Sequence, residues 1–352
     1  MRSPGLAADM TDAMNAESVQ DVAAIQESAA PGVGPEWIAR TEKLRFAFGE
    51  FTYHHSRFPA LTLDLHNSEI PADFEAGLPL HQLSRLREAL YLPSVPAAVD
   101  FPRLSFIRNC IRYVPEQFHH HGIELTGTFE KYLKDLRSKA RHELLRKMRR
   151  FGQRFGEQQS FREFQRPEEM KAYHALALEV SRKTYQDRLL QAGLPDDESF
   201  FGILHEYASA GKMRGYLLLD GESPIAYSYC RAQGRSLFYV HTGYDPGYRE
   251  WSPGLVMLYH IVERFFAEGQ YRVLDFGSGE SQWKEYYSNT TARCARVYYF
   301  RKTPRNLMRL LAHRAAIASS DRIVRMIDAL GLKQKVKRFF RSAGKPAAAP
   351  ND

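Results

Sequence analysis

The stretch from Tyr244 to Tyr287 constrains the fold most. It opens as YDPGYREWSPG, runs through an apolar segment from Leu255 to Ala267, and closes as VLDFGSGESQWKEYY. Ser252 is placed to cap a helix by accepting a bond from a bare backbone N–H. Pro253 then takes the first helical position, where its missing N–H costs nothing. Gly254 leaves the second position without a side chain, so an anion can approach the backbone at the positive end of the helix dipole. Leu255, Leu258, Tyr259, Val262, Phe265 and Phe266 form one apolar stripe at helical spacing, and Gly269 ends the helix. YRVLDF reads as a short buried strand that stops among polar groups. A strand, a helix with an accessible N-terminus and a second strand ending in Asp, Glu and Lys suits a transferase core. The cap taken alone suits any core helix equally well.

Around this stretch the patterns fall in a definite order. Residues 128–155 put Phe129, Tyr132, Leu133, Leu136, Ala140, Leu144, Met148, Phe151 and Phe155 on one face of a long helix whose other face is basic. SFREFQR predicts a strand, Pro167 with Glu168 and Glu169 a helix start, and DDESFFGILHEYASAG a further helix ending at Gly211. MRGYLLLD, SPIAYSYCRAQ and SLFYVHTGY then form a three-strand meander turning at Asp220–Gly221 and Gly234–Arg235. A meander followed by a crossover helix predicts a mixed sheet with that helix starting near its middle.

Upstream the signals are shorter. Residues 1–35 read as a disordered tail, and 36–127 as a small α/β unit in which LTLDL and LSFIRNCIRYV look like strands and HQLSRLREAL like a helix. It holds His119, His120 and His121. Three adjacent histidines cannot all face one metal from a regular element, so an exposed loop is expected there, and no metal. Residues 303–345 read as basic amphipathic helices.

Charge is unevenly distributed. The chain of 352 residues carries a net +8, yet residues 128–155 hold ten Lys/Arg against three Asp/Glu and residues 301–345 hold thirteen against two, leaving the remainder acidic. Two basic segments on an acidic protein point to an anionic partner or to solvated helix faces. Three scattered cysteines exclude a disulfide framework and a zinc ribbon. No apolar run reaches membrane-spanning length and no signal peptide is evident. A cytoplasmic protein is expected, with peripheral docking at the inner membrane through the C-terminal helices.

The combination of YLKDLRSKARHELLRKMRRFG, SRKTYQDRLLQAGLPDDESF, GYDPGYREWSPG and DFGSGESQWKEYY resembles the CelD-like branch of the GNAT acyltransferase superfamily, which serves cellulose and exopolysaccharide synthesis. More distantly it is similar to the Fem-type peptidoglycan aminoacyltransferases. The resemblance spans roughly residues 128–300. It implies an α/β fold of the GNAT acyl-CoA N-acyltransferase type, a mixed, mostly antiparallel sheet flanked by helices, over residues 128–302. The N-terminal unit would be a degenerate second copy. It implies acetyl-CoA or another acyl-CoA as donor, bound by Tyr244, Arg249, Ser252, Pro253, Gly254 and Leu255. The usual glycine-rich signature is incomplete, because Trp251 to Gly254 replaces most of its glycines; an acyl-carrier protein or an aminoacyl-tRNA would also be an anionic donor. Glu280, Asp275 and His241 are the candidate bases, the last because imidazole titrates near neutrality. Tyr286 or Tyr287 would protonate the leaving thiolate. Lys284 would hold an acidic group of the acceptor, a polysaccharide or glycan precursor, and Lys183, Thr184, Tyr185 and Arg188 would line its groove.

Two other classes compete. VLDFGSGES also looks like the glycine-rich turn of an S-adenosylmethionine-dependent methyltransferase, but too little strand follows it for a doubly wound domain. The basic segments alone would suit a membrane or nucleic-acid adaptor, although no RNA-binding signature is present and nucleic acid is not the expected partner.

Overall fold

The computed structural model describes residues 28–29, 37–48, 51–156, 159–184, 193–277 and 281–329. The strands are β1 (Ser28–Ala29), β2 (Trp37–Phe48), β3 (Phe51–Leu63), β4 (Ala89–Pro96), β5 (Leu104–Ile107), β6 (Cys110–Glu124), β7 (Gln159–Phe164), β8 (Met213–Asp220), β9 (Ser223–Gln233), β10 (Ser236–Tyr244), β11 (Val273–Asp275) and β12 (Thr290–Arg301). The helices are α1 (Phe129–Asp135), α2 (Ser138–Phe155), α3 (Met170–Ser181), α4 (Glu198–Ser209), α5 (Pro253–Glu268), α6 (Gln282–Tyr287) and α7 (Pro304–Ala329).

All the strands join one 12-stranded sheet in the order β1-β2-β3-β4-β12-β6-β11-β10-β9-β8-β7, with β5 added to β6. Only β3–β4 and β10–β11 pair in parallel. The meander β8–β10 forms as its turn chemistry dictates: Gly221 and Gly234 hold φ of 60° and 54°, the left-handed region that a side chain disfavours. α5 carries the chain from β10 to the adjacent parallel strand β11, starting with Pro253 at its first turn and ending at left-handed Gly269.

Two cores sandwich this half of the sheet. Under α1, α2 and α5 lie Phe129, Tyr132, Leu144, Phe151, Leu258, Phe265 and Leu274; under α3 and α4 lie Tyr173, Leu204, Leu217, Tyr227 and Tyr229. In the other half α7 covers one face through Leu310, packed with Phe58, Tyr113, Tyr298 and Phe300. His313 anchors it further, with Nδ1 2.7 Å from the Tyr113 hydroxyl and Nε2 3.0 Å from the Arg45 carbonyl. Among the described residues no helix is long and apolar enough to cross a membrane.

Four expectations change. The long basic helix is two helices, broken where Leu136 turns to ψ 144°. The break lets Phe129 and Tyr132 on one side, and Ala140 and Leu144 on the other, enter the same core. HQLSRLREAL is a short 3-10 turn that runs into β4, because Ala89 and Leu90 are fully buried in the sheet while Leu86 is 84% exposed. The histidine run lies within β6, where alternation puts His119 and His121 on one face, their rings 6.3 Å apart, and His120 on the other, facing Asp275. Finally, β12, read as part of the 128–302 unit, inserts between β4 and β6 and so completes the N-terminal half. The C-terminal stretch beyond residue 329, proposed for membrane docking, lies outside the described residues.

Candidate functional site at the β10–β11 seam

β10 and β11 pair through Ser236–Val273, Leu237–Leu274 and Phe238–Asp275, and there the pairing stops. β10 continues to Tyr244 with a bulge against β9 between Tyr239 and His241. Such an irregularity bends a strand and raises its twist, and β11 ends at Asp275, so none of its residues lies opposite the second half of β10. The result is a seam whose β10 edge, from Tyr239 to Gly243, has no strand partner on the β11 side among the described residues. Phe276 and Trp283 pack behind it on the α5 side, with ring centroids 4.9 Å apart, and Phe276 meets Tyr239 edge-on at 6.1 Å.

On the opposite face the seam's closed end forms the floor of a cleft of about 640 Å³ between the two halves of the sheet. Arg40, Lys43, Arg57, Arg231 and Arg296 line it, against Glu42, Asp64 and Asp275. Several are tied to the acids around them: Arg231 lies 3.6 Å from Asp64, and Arg296 2.9 Å from Glu116.

At the floor stands Asp275, 1% exposed. His120 Nδ1 is 3.1 Å from its Oδ1, His66 Nε2 is 3.2 Å from its Oδ2, and the Gly277 amide donates to Oδ1 at 2.6 Å. Burial alone pushes this carboxyl up. The two imidazoles, His120 foremost, outweigh that and hold it ionised, well below the usual carboxylate range. The three side chains come from three places: the loop after β3, the middle of β6 and the end of β11.

The residues singled out from sequence are dispersed around this point. Asp275 is at its centre, buried, with its Oδ1 held by the Gly277 amide and His120 and its Oδ2 beside His66, instead of standing open as a base. Lys284 is buried and its Nζ lies 3.5 Å from the Gly277 carbonyl, so it braces the loop leaving β11. His241 is on β10 but fully buried between Phe200 and Tyr229, with neither ring nitrogen hydrogen-bonded among the described residues. Burial lowers it to about 4, so at neutral pH it is an uncharged core group out of reach of substrate. Tyr287 is likewise sealed, its hydroxyl unpartnered among the described residues and pushed up by burial, while its carbonyl accepts from Tyr132. Tyr286 sits half-buried against α2, 5.9 Å from Lys139 Nζ.

Ser252 does not cap α5 with its side chain. It adopts the left-handed conformation (φ 56°), and its carbonyl accepts from Leu255 and Val256. Ser252, Pro253, Gly254 and Leu255 are all buried, so the helix tip is covered and not bare. Trp251 and Phe155 meet edge-on beside it, and Arg150 stacks on Trp251 at 4.6 Å. Arg249 is exposed on the same rim, and Tyr244 is buried at the end of β10. Lys183 bridges Glu179 and Asp245, each at 3.2 Å, and Thr184 donates to the Ser181 carbonyl; both brace the end of α3. Glu280, Tyr185 and Arg188 lie outside the described residues.

Sequence reasoning missed His66 and His120. For His120 a signal existed: within a strand, alternation aims the middle histidine of the run away from its neighbours. For His66 none did.

Residues 138–285 match the family model described as an acetyltransferase (GNAT) domain. The chain carries a GNAT acyltransferase domain. Its meander, crossover helix and parted parallel strands are the part matched. No curated protein matches the chain. Among solved structures it is similar to FemX, at 10% identity and a TM-score of 0.50, over 88% of this chain and 98% of that one. It is also similar to a conserved protein of unknown function from Bacteroides thetaiotaomicron (11% identity, TM-score 0.49, 86% and 99% covered). At such identities the FemX likeness is one of fold, and it extends over the N-terminal half as well as the matched domain. The CelD-like assignment has no counterpart among these relatives.

Proposed function

We propose that the chain transfers an acyl group from an acyl-CoA to an amine or hydroxyl of an anionic acceptor, a cell-envelope or exopolysaccharide precursor, held in the cleft. The observation that carries this reading is the meeting of seam and cleft at Phe238 and Asp275. The donor's extended amide arm adds along the edge of β10 that runs on past Phe238, much as a peptide adds to a sheet edge. Its phosphates lie outside the covered helix tip, on the rim formed by Arg249, Arg150 and Arg154. The thioester carbon then reaches the end of β11, where the acceptor arrives from the other face. The new C–N or C–O bond forms, the C–S bond breaks, CoA leaves as the thiol, and the acceptor's proton departs through the polar floor of the cleft. Holding both reactants in register supplies much of the acceleration in such a reaction.

The excess of cations among the ionisable groups lining the cleft supports an anionic acceptor, since their field raises its local concentration. A second donor class is favoured by one feature. Arg146, Arg149, Arg150 and Arg154 are exposed along α2 beside Trp251, a surface broad enough for an acyl-carrier protein or an aminoacyl-tRNA. Thiol release from acetyl-CoA, measured across a panel of amino sugars and nucleotide-linked sugars, tests the proposal. Acceptor-dependent release supports it. Transfer only from a carrier protein or a charged tRNA moves the assignment to the second donor class.

A further inference from the structure

His66, His120 and Asp275 form the one cluster among the described residues that gathers three metal-ligating side chains. We propose that it is a binding site for a divalent transition metal, with open coordination positions facing the cleft. The acyltransferase reading bears only on what the metal does there, not on whether it binds.

Geometry is the first support. The ligand atoms all lie within 4.8 Å of one another, with the two N···O separations at 3.1 and 3.2 Å. Zinc bonds of about 2.0–2.2 Å set adjacent ligands of a tetrahedron about 3.3 Å apart. Each imidazole thus already stands at ligand spacing from one carboxylate oxygen, and closing the widest separation, at most 4.8 Å, by up to about 1.5 Å lets all three share one ion. Chemistry is the second support. Two imidazoles and one carboxylate, without sulfur, suit zinc, iron(II), cobalt or nickel better than magnesium or calcium.

The third support is an unmet valence. Asp275 Oδ2 is buried and makes no hydrogen bond among the described residues, with His66 Nε2 beside it at 3.2 Å. A buried carboxylate oxygen left so costs free energy that a cation would recover. The Gly277 amide fixes the other oxygen, as outer-shell donors do for metal ligands. Phe238 and Phe118 flank the two imidazoles at 5.7 Å each and limit water on that side.

Three protein ligands leave a tetrahedral ion one open position, and the cleft gives access to it. A water or acceptor oxygen bound there is acidified by the metal, which is a route for the proton that acyl transfer must remove. The basic walls of the cleft favour an anionic group on that ligand.

The test titrates ZnCl2 alone into the chelator-stripped full chain by calorimetry, and follows Co2+ by its visible absorption. One equivalent should bind at micromolar concentration or tighter, and Co2+ should show the intense bands of a four-coordinate site. H66A, H120A and D275N, each checked for folding by circular dichroism, should weaken binding at least tenfold, and H119A, on the exposed face of β6, should not. No binding at 100 µM, or binding indifferent to H120A, overturns the proposal. Metal binding in a chain that transfers no acyl group would sink the acyltransferase reading and leave the site standing. Transfer undiminished after the metal is removed would reject the metal's part in proton removal.

Discussion

His241 lends itself to a quantitative test, because it is fully buried with neither ring nitrogen paired among the described residues. Burial lowers its pKa from 6.5 to about 4. Each tenfold loss of proton affinity corresponds to about 1.4 kcal/mol, so keeping this imidazole neutral links about 3 kcal/mol of stability to pH. The sign follows from proton uptake. The unfolded chain protonates the residue as pH falls below 6.5, while the folded chain does not until about 4, so stability drops across that window. At pH 5 the loss should be about 2 kcal/mol. H241L retains the volume and removes the titration. Urea unfolding of both proteins at pH 7.5, 6, 5 and 4.5 isolates this group from all others, because only the difference between them matters. H241L should gain on the parent by about 2 kcal/mol between pH 7.5 and 5. A difference constant with pH would mean that the ring is solvated or paired, and would restore it as a base candidate.

Other consequences are checked more briefly. A Cβ at Gly122 would lie 2.9 Å from the Leu274 carbonyl across the β6–β11 pair, so G122A should cost about 1–3 kcal/mol, read as a lower Tm, and blunt activity by displacing Asp275. R57E together with K43E should raise the acceptor KM at least tenfold and leave the acyl-CoA KM within about twofold, since these charges lie in the cleft and not on the donor rim. R249A should do the reverse at unchanged Tm, as an exposed rim residue. G254E, placed in a buried first turn of α5, should lower stability as well as donor binding.

The half of the chain that holds the seam was the legible half. Alternation in SPIAYSYCRAQ, glycines at Gly221 and Gly234 that tolerate positive φ, and Pro253 and Gly269 at the two ends of α5 are local signals, and local physics honours them. What was not legible depends on distant partners. Nothing in TTARCARVYYFR tells that it inserts between β4 and β6, because any half-buried strand would read alike. HQLSRLREAL has helical spacing, but Ala89 and Leu90 gain more by completing the sheet than by forming an isolated turn of helix. The buried tip of α5 belongs to a core it shares with Phe155 and Trp251, a tertiary event. Asp275 was visible as an acid at a strand end, whereas its two imidazoles arrive from segments far apart in the chain.

Catalysis as proposed requires the seam between β10 and β11 to receive the acyl donor at the cleft floor. A crystal structure with acetyl-CoA bound would show this at once. The pantetheine arm should be hydrogen-bonded along Tyr239–Gly243, with the phosphates near Arg249 and the sulfur beside Phe238 and Asp275. An acetyl-CoA bound elsewhere, with the edge of β10 beyond Phe238 left empty, would contradict the proposed donor site.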